Sequence, residues 1–572
     1  MLACVCLGIG ALAVRTVQVQ VLDGAELARA AESQQRITVP LWAPRGPIVD
    51  RTGQTLALSF RAVTVGVWPS RIPDRTAFAQ ALASYTRITP AEIEQRMSGN
   101  AKYVFVARRI EQSTWARIKR DATLGPLVKS QAIEPEQEPR RVYPNGGLAA
   151  QVVGVDGSGL SGVEFSRNDV LSARDGLAAV SKSNSSGDTH WARVLHVREP
   201  VPGKQVQLTL DVRIQRLVQE QLNARLKQWK AKAVTAVVLD TRTGGILAMA
   251  SAPGLPPAGY RAGNAEEWRL RAITDLYEPG STFKLVTFMG ALQEGVILPS
   301  TPFLVPDTYT KTFENPHFVR TIPDAHPHGP ENWTATDILA HSSNVGTITI
   351  ADKRLGQTNL QKWIKLTGFG TRTGVDLPGE VPGKVLAPEK WYGTGIMNVP
   401  IGEGIAVTPL QMASLYGAIA NKGTWIQPHV TASIGGKAVT GWKHRKLVTP
   451  HVAAELRSML TKVVETDGTG VLARVPGYNI AGKTGTTPKY DAKHDNYCDP
   501  YKGHCEYQTS FVGFAPAGHP RFVALVMVDE PQSKNPYDIE GGTVAAPIFK
   551  SIAQGILQIL QVKPDNPRQL TT

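Results

Sequence analysis

Strand signatures stand at both ends of the C-terminal part of this chain, with helical sequence between them, and that order limits the layers it can form. Gln207–Leu210 reads as a strand running into a helix over Asp211–Lys230. Val234–Leu239 and Ile246–Ala250, joined across Thr243-Gly244-Gly245, then read as a β-hairpin. Near the other end Thr509–Ala515 and Arg521–Val528 repeat the pattern across Ala517-Gly518-His519-Pro520, and Thr543–Leu560 has the periodicity of a terminal helix. The stretch from Ser281 to about Met459 reads as mostly helical. Such an order predicts an antiparallel sheet closed by its N- and C-terminal parts, with a helical insert.

The 572 residues exceed one compact core, and 42% hydrophobic with 19% charged residues suits folded domains. From about residue 24 to 200, strand-like runs (Ala62–Trp68, Tyr103–Val106) alternate with short amphipathic helices (Arg75–Tyr85, Pro90–Met97). Residues 1–14 carry no charge and Arg15 ends the run, short of the roughly 20 residues a bilayer span needs. Neither a cleavage site nor a basic flank accompanies it. This predicts a single N-terminal anchor whose start lies upstream, with everything after it outside the membrane. The net charge of +14 comes without a Lys/Arg run or a nucleic-acid motif, so no nucleic-acid partner is expected. Cys498 and Cys505 share one polar loop, where export would permit a disulfide; no CxxC pair suggests zinc.

Three short motifs carry chemistry. Ser281-Thr282-Phe283-Lys284 follows Pro279-Gly280, and apolar positions from Phe283 to Leu292 predict a helix from about Ser281. Ser and Lys three apart share a helix face. A serine needs a base to become a nucleophile, and a lysine serves when burial and nearby positive charge lower its pKa. Free N–H groups at a helix start favour an oxyanion. Ser342-Ser343-Asn344 offers a hydroxyl and an amide able to relay a proton and hold a peptide carbonyl. Triplets of the same form at Ser98-Gly99-Asn100 and Ser533-Lys534-Asn535 show how little one alone decides. Lys483-Thr484-Gly485-Thr486 follows a strand-like Tyr478–Gly482, placing a cation and hydroxyls where glycine lets a substrate backbone approach. His326 and His328, among prolines, fit a solvated loop, and neither metal nor other cofactor is expected.

In this order the motifs are the set of class A β-lactamases and penicillin-binding proteins, which have Asp in the middle of the second. Further blocks extend the match: Pro44–Arg51, Arg141–Pro144 with Ala149–Gly154, Gly159, Gly162 and Glu164, Tyr277–Ser281, and Val407–Gln411. With them the chain resembles class B, monofunctional penicillin-binding proteins over nearly its whole length. Glu278 before Pro279-Gly280-Ser281, and Ser342–Gly346, resemble the division-type (FtsI-like) branch. Two departures stand out: Glu403, where the family often has an aromatic residue, and a long loop over Pro488–Tyr507.

The resemblance implies an α+β fold: the penicillin-binding serine transpeptidase fold, an antiparallel sheet flanked by helices with a helical subdomain, preceded by an elongated mixed α/β pedestal. It implies an anchor over 1–22, a pedestal or dimerisation-like domain over 23–200, a transpeptidase domain over 201–562 and a tail over 563–572. It implies a D,D-transpeptidase that cross-links peptidoglycan, with Ser281 as nucleophile, Lys284 as base, and Ser342 and Lys483 handling the leaving group's proton. Asn344, Thr484, Gly485 and Thr486 would bind substrate, and the N–H groups of Ser281 and Thr486 would form an oxyanion hole. Implied partners are stem peptides, the lipid-linked precursor polymer, β-lactams, a membrane glycosyltransferase, division proteins and the cytoplasmic membrane. The alternatives are an elongation-type enzyme, a β-lactamase or β-lactam sensor, and a division scaffold.

Overall fold

The structure, a computed structural model, describes residues 2–22, 36–156, 161–185, 188–255, 264–314, 317–391, 394–491, 496–497, 505–535 and 538–567. Packing groups them into two compact units. One comprises Met1–Pro47, Leu58–Val142 and Val170–Lys204, the other Ile48–Ala57, Tyr143–Asp169 and Gln205–Thr572. The units interleave along the chain.

The first unit opens with α1 (Leu2–Val17), whose large apolar side chains from Val5 to Val17 are exposed. Among the described residues no helix is long and apolar enough to cross a membrane. Strand β1 (Thr55–Val67) contributes from Leu58 onward. Its alternate residues Val63, Val65 and Val67 are fully buried with Phe78 and Leu82 of α2 (Arg75–Ala83) and Ile93 and Met97 of α3 (Pro90–Met97). A capping box between Thr89 and Glu92 starts α3. Strands β2 (Val104–Glu111) and β3 (Ile133–Val142) flank β1 antiparallel. Arg141 and Gly46, from separate sequence blocks, meet here: Arg141 Nη1 donates to Gly46 O at 2.8 Å. A Cβ on Gly46 would stand 2.0 Å from Lys204 O, so only glycine fits.

The second unit is built on a five-stranded antiparallel sheet. Helix α4 (Val212–Trp229) leads into the hairpin of β4 (Ala233–Asp240) and β5 (Ile246–Ala252). Three strands from the far end of the chain complete it: β8 (Ala481–Pro488), β9 (Tyr507–Ala515) and β10 (Phe522–Asp529). The strand order is β5-β4-β10-β9-β8, so the expected closure of the sheet by its two ends is met. On one face, Ile214, Val218 and Leu222 of α4 pack with Phe549, Ile552 and Ile556 of the C-terminal helix Ala546–Ile559. On the other, Gly417 of the buried helix Pro409–Ala420 lies against Val523. Covered on both faces, β4, β5 and β10 are apolar almost continuously instead of alternating.

The stretch 281–459 is less helical than its sequence suggests. It contains two antiparallel strand pairs, Pro302–Val305 with Glu331–Thr334 and, between them in sequence, the hairpin of β6 (Thr308–Glu314) with β7 (His317–Pro323). The residues of β6 and β7 are half-buried or exposed apart from Ile322, so no apolar face announces them. Cys505 is disulfide-bonded, and its expected partner Cys498 lies outside the described residues.

Candidate active site

The first motif starts as a 3₁₀ turn, Gly280–Phe283, and continues as α5 (Lys284–Gln293), where an ordinary helix from Ser281 was expected. In a 3₁₀ turn side chains three apart eclipse, which aligns Ser281 with Lys284 more closely than an α-turn would. Ser281 is half-buried, and Gly280 before it takes φ +53°. The turn is seated on β8. A Cβ on Gly280 would stand 2.3 Å from Thr487 Oγ1, and one on Gly485 would stand 2.9 Å from Pro279 O. Glycine at both positions lets the nucleophile's turn and the strand of the third motif touch backbone to backbone.

The second motif joins α6 (Ala335–Ala340) to α7 (Asn344–Thr349). Ser343 caps α7, its Oγ accepting from Gly346 N at 2.8 Å. Ser342, just outside the helix, is held at φ +60°, a strained conformation for a side chain other than glycine. The strain aims its hydroxyl between two lysines. Lys483 Nζ donates to Ser342 Oγ at 2.7 Å, and Lys284 Nζ reaches the same oxygen at 3.3 Å. Lys284 also donates to Asn344 Oδ1 at 2.7 Å and to Ser342 O. Three segments far apart in the chain thus meet at one hydroxyl.

Both lysines have no exposed surface. Burial pushes the Lys284 amine down to about 7, the carboxylates of Asp324 and Glu403 opposing the shift. Lys483 is also held well below the ordinary lysine value, first by burial and then by the charge of Lys284. A lysine titrating near neutrality can act as a general base, which a solvated one cannot.

β8 is an edge strand, so one row of its backbone groups is free of sheet partners. Thr484 is buried, its Oγ1 2.8 Å from Thr469 Oγ1 and within reach of Lys483 Nζ. Thr486 is more open, and its Oγ1 accepts from Gly541 N at 2.9 Å.

Asp324, which no motif indicated, holds the second motif in place. It lies just past β7, its side chain 6% exposed. Its carboxylate accepts from Ser343 Oγ (2.6 Å), Val345 N (3.0 Å) and Asn344 N, and pairs with His328 Nε2 at 3.0 Å. His328 is therefore no solvated loop residue. Burial lowers its pKa, but Asp324 and Gly329 O outweigh burial and leave it raised; its ring also lies 5.0 Å from that of Trp333. His326 is the exposed one, with Glu540 at 3.4 Å. Among the described residues no cluster of side chains could hold a metal ion.

A family model described as penicillin binding protein transpeptidase domain matches residues 234–554, and one described as penicillin-binding protein dimerisation domain matches residues 40–208. Penicillin-binding protein PbpB of Mycolicibacterium smegmatis is 32% identical, over 96% of this chain and 87% of its own. Peptidoglycan D,D-transpeptidase FtsI of Escherichia coli is 28% identical, over 98% of this chain and 91% of its own. Penicillin binding protein 3 of Mycobacterium tuberculosis, solved in complex with ampicillin, superposes with a TM-score of 0.68 at 29% identity, covering 92% of this chain and 98% of that one.

Proposed function

The chain belongs to the penicillin-binding protein transpeptidases, and from that premise we propose how its own residues carry the reaction. It is a class B, serine-type peptidoglycan D,D-transpeptidase that joins stem peptides through an acyl-enzyme and is acylated by β-lactams.

Ser281 attacks the carbonyl of the penultimate D-alanine of a stem peptide, and its proton passes to the neutral amine of Lys284. The N–H groups of Ser281 and Thr486 hold the oxyanion. As the C–N bond breaks, the departing D-alanine nitrogen takes a proton relayed through Ser342, with Lys483 supporting that hydroxyl. Asn344 holds the donor backbone, and Thr484, Gly485 and Thr486 receive its carboxylate end along the edge of β8. An amine from a second stem then attacks the ester carbonyl, a new amide forms and Ser281 is released. The observation that carries these roles is the convergence of Lys284 and Lys483 on Ser342 Oγ.

The enzyme works in septal wall synthesis, a reading supported by Glu278 before Pro279-Gly280-Ser281 and by the Ser-Ser-Asn form of the second motif. The apolar N-terminus anchors it as a single-pass protein of the cytoplasmic membrane with the catalytic unit on the outer face. There it meets the lipid-linked precursor polymer, a membrane glycosyltransferase and division proteins. Intact mass after exposure to penicillin, followed by peptide mapping, tests the nucleophile. A long-lived adduct on Ser281 is expected, and Ser281→Ala abolishes it while the fold persists. Undiminished labelling of that variant would overturn the assignment.

A further inference from the structure

An acyl-enzyme that makes cross-links must favour an amine over water, and the roles above leave the amine with no group to receive it. The turn Gly402-Glu403-Gly404 supplies one. Both glycines take positive φ, +85° and +72°, so the chain folds tightly on either side of Glu403. Gly280 N donates to Gly402 O at 3.2 Å, and Gly404 N donates to Glu278 Oε1 at 3.0 Å. The turn is thereby tied to the residues immediately ahead of Ser281. A Cβ on Gly402 would stand 2.1 Å from Gly280 O, whereas Gly280 itself faces Thr487 of β8. Gly280 is wedged between the two, which sets Glu403 across the nucleophile's turn from the strand that takes the donor.

Glu403 is half-buried, and among the described residues no hydrogen bond or ion pair holds its carboxylate. Burial and the neighbouring charge of Glu278 push its pKa up, while Arg320 and Lys284 pull it only part of the way back. A carboxylate partly withdrawn from water without a bonded partner is stabilised by a cation that arrives beside it. The mechanism brings such a cation after the D-alanine has left, because the acceptor amine is an ammonium in neutral water.

Resting on the transpeptidase reading, we infer that Glu403 receives the ammonium group of the acyl acceptor and takes its proton, leaving the free amine to attack the Ser281 ester, and so sets the preference of the acyl-enzyme for an amine over water. An aromatic side chain at this position would offer a face to the acceptor but no compensating charge.

The test uses the full chain, an N-acylated D-alanyl thioester as donor and D-alaninamide as acceptor, and measures the ratio of aminolysis to hydrolysis. The ratio reports on acyl-enzyme already formed, so it does not depend on how fast acylation is. Glu403→Gln is expected to lower it by about tenfold, the loss of one charge-assisted contact, and Glu403→Asp to restore part of it. An unchanged ratio for Glu403→Gln in a variant that still forms the acyl-enzyme would overturn the inference. So would an unchanged ratio with a raised KM for a donor bearing a free ammonium, which would place the cation on the donor. If the unsubstituted chain forms no acyl-enzyme at Ser281, the transpeptidase reading itself fails, a distinct result. Thermal unfolding of both variants separates loss of the contact from loss of the fold.

Discussion

Lys284 stands on the helical side of the cleft and Lys483 on the strand side, and their surroundings differ in one respect that matters. Both are sealed from solvent, and burial is the first cause of both depressed pKa values. The helical side also carries carboxylates. Asp324 and Glu403 pull Lys284 partway back, to about 7. On the strand side, among the described residues, no carboxylate counters burial in this way, and the charge of Lys284 depresses Lys483 further. Two buried amines around one hydroxyl oppose each other's protonation, and the acidic groups decide which of them titrates near neutrality. In this chain the carboxylates that hold Lys284 near neutrality thus lie outside the three motifs.

Exchanging each lysine in turn breaks the comparison most severely. Lys284→Gln is expected to slow penicillin acylation of Ser281 by about 10²- to 10⁴-fold, the usual worth of a positioned general base. Lys483→Gln, which removes support from Ser342 without removing the base, is expected to cost less, about ten- to a hundredfold. A stopped-flow acylation rate for each variant decides the order, and the reverse order would move the base to the strand.

Titration sharpens it further. The base must be neutral to accept a proton, and Lys284 is neutral above about pH 7. Acylation therefore rises with pH through that value and falls by about tenfold per unit below it. Since the charge of Glu403 raises the Lys284 pKa, Glu403→Gln is expected to shift this limb to lower pH, by less than about one unit. A shift to higher pH would contradict the assigned direction.

The smallest effect concerns Ser342, where the two sides meet. Its φ of +60° strains any residue with a Cβ. Ser342→Gly and Ser342→Ala lose the same hydroxyl, yet the glycine variant is expected to be more stable by about 1 kcal/mol in denaturant unfolding. Equal stabilities would mean that the strain is absent.

Much of the scaffold could be read from the chain alone. The apolar runs of β4, β5, β9 and β10 and the periodicity of α4 and α5 placed the sheet and the first motif, because burial on two faces or on one helical stripe leaves a local signature. The hairpin β6–β7 left none, since neither of its faces is wholly buried and its polar residues resemble a loop. For the same reason Asp324, at the end of that hairpin, was invisible. Nothing near it in sequence marks the donors it serves, which lie 19 to 21 residues downstream. The prolines around His328 suggest solvent, whereas Trp333 and Asp324 lie against it.

The sequence by itself determined the residue types of the three motifs and the elements that carry them, since helix and strand periodicity and the freedom of glycine act within a few residues. Tertiary structure alone decided that Lys483 reaches a serine 141 residues away, that Ser342 is held at a strained φ, and that both amines lose their water. A pKa and a hydrogen bond depend on what stands within a few ångströms in space, and those neighbours come from chain segments that only packing brings together.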